Sequence, residues 1–222
     1  MQLEILKSLI RRFESQLNSL DLEDLQILLD IQNQWRKHWD LESADFLLMY
    51  EKSLDSKISR KFWKSQDGDA KKMLQDLGRM DPEFSRRTFR SLFDKQKELS
   101  KRISSFQFGL EVQMEEFKTR NRTSILTRHL HEDTFLPMLY ISLENPEEVA
   151  PYFHHSFMEF MKEVRAKPEY EHVDVERYKK VLRTINHFLS KSESIQEKFQ
   201  GVFPPWIAMV FYRWVGLTKK LG

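Results

Sequence analysis

Apolar residues recur at spacings of three and four along most of the chain, the period of helices that bury one stripe. Leu3, Leu6, Ile10, Phe13, Leu17 and Leu20 form the first stripe. Asp21 is placed to cap a second helix carrying Leu22, Leu25, Leu28, Leu29, Trp35 and Trp39. The short connection predicts that these two are antiparallel neighbours. Glu42 to Trp63 reads as a third helix through Phe46, Leu47, Tyr50, Leu54, Ile58 and Phe62, ended by a polar cluster over 64–69. A shorter helix follows over about 70–77, before Gly78.

Asp81-Pro82 is a strong helix start, since Asp accepts from free amides and Pro at the first position has no donor to lose. From Leu92, a four-three alternation through Gln96, Leu99, Ile103, Phe106, Leu110, Gln113 and Phe117 predicts one long helix over about 82–118. Gly109 lies inside it as a point of bending or weakness. Beyond Arg120 the pattern is mixed, with helix to about His131 and a loop through Glu144-Asn145-Pro146. Ala150 to Val164 is helical, Lys167 to Val173 is a loop, and Asp174 caps a helix carrying Val175, Tyr178, Val181, Leu182, Ile185 and Leu189. Phe203-Pro204-Pro205 precedes a last helix, Trp206 to Leu217. No run alternates at period two. The expected fold is an all-α bundle of about seven to nine helices, with long antiparallel helices in the N-terminal half. Residues 1–222 are expected to form one domain, divisible into a long-helix part over 1–130 and a Phe-rich part over 131–222.

Composition supports this picture. The chain has 6 Gly and 7 Pro, too few to supply many hairpins, while 17 Phe, 5 Trp and 6 Tyr provide core surface. The absence of Cys removes disulfide frameworks, thiolate metal sites and cysteine nucleophiles. The net charge of +2 hides a regional pattern. Residues 1–55 carry 6 basic and 11 acidic side chains, 56–130 carry 18 and 10, 131–178 carry 4 and 11, and 179–222 carry 8 and 2. Either the basic blocks meet an acidic partner, or the blocks neutralise one another within the fold. Charged residues interrupt the first 17 positions, so no secretory signal is read there and a cytoplasmic location is the expectation.

Candidate chemistry is sparse. His155 and Glu159 share a helical face, and Glu169 and His172 are three apart beside Pro168, but no further ligand set matches either pair, and a surface role is expected. His129, His131, Glu132 and Asp133 form the densest metal-capable group, without a third fixed ligand elsewhere. No metal and no cofactor is expected. Arg122 and His129 have the spacing of a metal-independent ribonuclease pair, in which His moves a proton at the 2′-hydroxyl and Arg stabilises phosphate charge. Arg165 and His172 repeat that spacing, so the signal is no better than chance.

Arg86, Arg87, Arg90, Lys97, Lys101, Arg120 and Arg122 could track a nucleic-acid backbone, although they are spread around the helix rather than gathered on one stripe. Trp206, Phe211 and Trp214 belong to the most apolar segment. Its helical part is too short to span a membrane, which leaves a buried central helix, a docking face for another protein, or an interfacial anchor flanked by Lys219-Lys220. The leading expectation is a non-enzymatic interaction module, an adaptor or a subunit of a larger assembly, that binds another protein or itself. The alternative is a nucleic-acid-binding helical protein using Arg122 and His129 for cleavage.

Overall fold

The computed structural model describes residues 1–65, 69–122, 131–166 and 174–218. Among these residues it is all-helical, with no strand. The order is α1 (Leu3–Ser15), a 3-10 turn (Leu17–Ser19), α2 (Glu23–His38), α3 (Phe46–Leu54), α4 (Ser59–Ser65), α5 (Ala70–Met80) and α6 (Pro82–Phe93). Then come α7 (Leu99–Asn121), α8 (Phe135–Glu144), α9 (His154–Glu163), α10 (Val175–Leu189), α11 (Glu193–Lys198) and α12 (Pro204–Thr218). The helices are shorter and more numerous than the periodicity predicts. Two compact units result. One is continuous, Glu23–Glu144, and the other joins Met1–Leu22 to Asn145–Gly222.

The continuous unit is organised around rings. Trp35 stacks on Trp39 at 3.8 Å, and Phe89 of α6 meets Phe106 of α7 at 5.2 Å and Tyr140 of α8 at 5.3 Å, both edge-on. Edge-on pairs align positive ring edges with negative faces and add to the apolar burial. Apart from Trp39 Nε1, which is buried without a hydrogen-bond partner among the described residues, the polar tips are satisfied inside the same cluster. The Tyr50 and Tyr140 hydroxyls lie 2.9 Å apart, His131 Nε2 is 3.0 Å from the Tyr140 hydroxyl, and Trp35 Nε1 donates to Glu144 at 3.0 Å.

The expected helix over 82–118 is two helices, α6 and α7, folded into a hairpin. Asp94 reverses the chain: its carboxylate accepts from the Gln96 amide and its carbonyl from Lys97, each at 3.1 Å. An Asx turn of this kind needs neither Gly nor Pro. Arg102 Nε then reaches back to the Leu92 carbonyl at 2.7 Å, and Gln113 Nε2 to Ser85 Oγ at 2.9 Å. Gly109 lies within an unbroken α7, where a Cβ would stand 2.9 Å from Thr88 Oγ1. Its role is close helix approach rather than bending.

The helix expected over 42–63 is likewise divided, into α3 and α4. Ser56 Oγ accepts from the Ser59 amide at 2.9 Å and Ser59 Oγ from the Ser56 amide at 3.1 Å, a reciprocal pair that starts α4 afresh. The helix α8 was not anticipated. Leu136 to Leu143 are all buried, so the segment is apolar on every side and carries no period.

In the discontinuous unit, α12 packs chiefly against α9, then α10 and α1. Gly216 allows the closest approach, since a Cβ there would lie 2.7 Å from the Ser156 carbonyl oxygen. Phe13 of α1 inserts among Phe211 at 5.3 Å, Trp214 at 5.2 Å and Phe199 at 6.2 Å. Within this unit the main partners of α1 are α10 and α12. The caps expected at Asp81 and Asp174 form, one in each unit: Asp81 accepts from the Phe84 amide at 2.8 Å and Asp174 from Arg177 at 2.9 Å. No helix among the described residues is long and apolar enough to cross a membrane.

Candidate functional site

The longest helix, α7, has two unlike faces. Leu99, Ile103, Phe106, Leu110 and Met114 are buried, together with Arg102 and Gln113. Gln113 is satisfied by Ser85 and by the Asp81 carbonyl at 3.2 Å. At the flank, Gln107 Nε2 donates to the carbonyls of Glu132 at 2.7 Å and Asp133 at 3.1 Å, which ties the segment before α8 to α7. Asp133 in turn accepts from the Phe135 amide at 3.1 Å to start α8, and burial holds its carboxyl above the usual range.

The opposite face carries Lys101, Ser104, Ser105, Phe108, Glu111, Val112 and Glu115 in the open. Phe108 is 67% exposed and Val112, one turn further, 40%. Folding normally hides a phenyl ring, because each buried ring contributes about 1.5–3 kcal/mol. Phe108 forgoes that gain. It lies outside the four-three seam that the sequence marks as the buried stripe, and an off-seam Phe followed by Val is the signal that sequence reasoning passed over.

The basic residues are engaged individually. Arg86 is buried, with its guanidinium bonded to the carbonyls of Leu41 and Ser43 and to Glu83, and lying over the Phe46 ring. Arg87 lies over Phe84. Arg90 pairs with Glu42 at 2.7 Å, Lys97 with Asp94 at 3.3 Å, Lys101 with Glu98 at 3.2 Å, and Arg120 with Glu116. Arg122 ends α7 in the left-handed region, at φ 49°. His129 lies outside the described residues, so the Arg122–His129 pair has no geometry here. Of the metal-capable group, His131 is fully buried against Tyr140. Glu159 is paired with Lys162 at 2.6 Å, and Glu169 and His172 lie outside the described residues. No group of three His, Cys, Asp or Glu suited to a metal occurs among the described residues.

Trp206 and Phe211 are fully buried in the discontinuous unit, which is the central-helix reading of this segment. Trp214 is half-buried against Phe13, with Arg12 over its ring. The charge blocks meet in two ways. Arg90 to Glu42, Arg60 and Lys71 to Asp55, and Lys179 to Glu148 join blocks of opposite sign, but most ion pairs among the described residues link positions three or four apart in sequence.

No protein-family model, curated protein or solved structure matches this chain.

Proposed function

We propose that the protein is a non-enzymatic helical interaction module, an adaptor or subunit of a larger assembly, that docks through the outer face of α7. The observation that carries this reading is the exposed Phe108–Val112 pair on a helix whose other face is fully packed. Single exposed apolar residues are ordinary, whereas an aromatic and a β-branched residue one turn apart form the kind of anchor that a partner's groove or helix covers. Glu111 and Glu115 border the pair, which suits a partner with basic residues flanking its apolar contact.

A photo-crosslinking residue in place of Val112 tests this in cells of the source organism, with the same group at exposed Lys52 of α3 as reference. Capture of a distinct protein at 112, lowered at least about tenfold by Phe108→Glu, is the expected result for an anchoring ring. Capture of a second copy identifies self-association at this face. If labelling at 112 is no stronger than at 52, or if Phe108→Glu leaves it unchanged, the docking face is not on α7.

A further inference from the structure

The discontinuous unit carries an open groove of about 320 Å³ between α1 and the end of α10. Its rim is cationic. Lys7 and Arg11 come from α1 and Lys191 from the turn after α10, against one acid, Glu4. Glu4 is occupied by Lys7 at 2.7 Å. Arg11 and Lys191 have no carboxylate within salt-bridge distance among the described residues, and Lys191 Nζ lies 5.1 Å from the centre of the Phe188 ring. The floor is apolar, formed by Ile10, which is 7% exposed, and by half-buried Phe188.

A bare anion would gain little here, because exposed charges are screened by salt and water. An uncharged apolar molecule would leave the two cations unused. A volume near 320 Å³ is at the small end of organic ligand sites. The face of Phe188 already carries Lys191, so the remaining apolar surface suits a flexible aliphatic body better than a stacked ring.

We propose that the groove binds a small amphipathic organic anion, with a carboxylate between Arg11 and Lys191 and a short aliphatic chain laid on Ile10 and Phe188. This site is independent of the α7 face and uses none of its residues.

Octanoate is the probe, titrated into the isotope-labelled full-length chain while the backbone amide resonances of 188–192 are followed. Octanol supplies the body without the charge, and inorganic phosphate the charge without the body. The expected result is saturable movement of these resonances by octanoate, at an affinity at least about tenfold better than either control. The double variant Arg11→Gln, Lys191→Gln weakens octanoate at least about tenfold while leaving the thermal melt in place, since both side chains are exposed. No saturable response, equal binding of phosphate or octanol, or undiminished octanoate binding by the double variant each overturns the proposal.

Discussion

Tyrosine hydroxyls are held in the interior of both units. In one, Tyr50 and Tyr140 face each other. In the other, Tyr178 donates to the Pro151 carbonyl at 2.9 Å, and the Tyr212 hydroxyl accepts from the Phe153 amide at 3.1 Å. Burial disfavours the phenolate in each case, raising Tyr50, Tyr140 and Tyr178 above their usual range and Tyr212 to about 12. In the unfolded chain the same groups ionise near pH 10. Because the folded values are raised, the stabilisation is fully present below pH ~10 and is lost as pH rises through the folded values. Burial raises Tyr152 as well, whereas Lys71 has the opposite sign, since burial lowers its value, but it is a single group against five. The unfolding free energy should therefore stay level between about pH 7 and 9 and fall steeply above pH ~10, by up to about 1.4 kcal/mol per pH unit for each tyrosine that stays neutral, and the melting temperature should fall with it. Thermal melts across that range, with Tyr212→Phe as a variant of shallower alkaline slope, check this. A level curve at pH 11 would contradict it.

At the scale of elements, helix approach is set where a side chain is missing. Replacing Gly109 with Ala would gain about 1 kcal/mol of helix propensity at an ordinary position. Here the new methyl would press on Thr88, a short β-branched side chain that also donates to the Phe84 carbonyl at 3.0 Å and has little freedom to withdraw. Overpacking of this kind typically costs about 1–3 kcal/mol. Gly109→Ala should thus destabilise the protein in urea, and adding Thr88→Ala should recover most of the loss by opening the space. A Gly109→Ala variant more stable than the parent would show that α6 and α7 do not pack this closely.

Element type was largely legible in the sequence where one stripe is buried. The stripes of α1, α2 and α10 and the Asp81 and Asp174 caps are all read from spacing and residue type alone. What escaped was of two kinds. The breaks at Asp94 and Ser56 are made by side-chain hydrogen bonds to the backbone, without Gly or Pro to mark them. The helix α8 is buried on all sides, so its apolar run has no period to read. The candidate site was half legible: Phe108 stands off the seam in the sequence, but only packing tells which face of α7 is covered. The aromatic richness of α12 reads equally as core or as docking face until Phe13, Phe157 and Phe160 are placed around it.

For the molecule as a whole, the continuous unit has its own aromatic core over Glu23–Glu144, while the other unit needs both ends of the chain. A fragment of residues 23–144 should retain helical circular dichroism and a cooperative urea transition. Residues 145–222 alone should not, because loss of α1 exposes the site filled by Leu6, Ile10 and Phe13. Those three side chains contribute about 1.5–3 kcal/mol each, which together approach the whole stability of an ordinary domain. Supplying residues 1–22 as a separate peptide should restore the transition. A cooperative transition from 145–222 alone would mean that α1 is dispensable to that core.

The division of one core between the two ends of the chain also sets a schedule for the ribosome. The helix α1 is translated before α12, which receives Phe13 and follows about 190 residues later, a delay of roughly 10–40 s at ~5–20 residues per second. Throughout that interval residues 23–144 can fold on emergence, while the apolar stripe of α1 waits in solvent for its partners. The nascent chain therefore passes through a long stage in which a finished unit follows an unsatisfied amphipathic helix, the stage at which chaperone capture and aggregation compete for it.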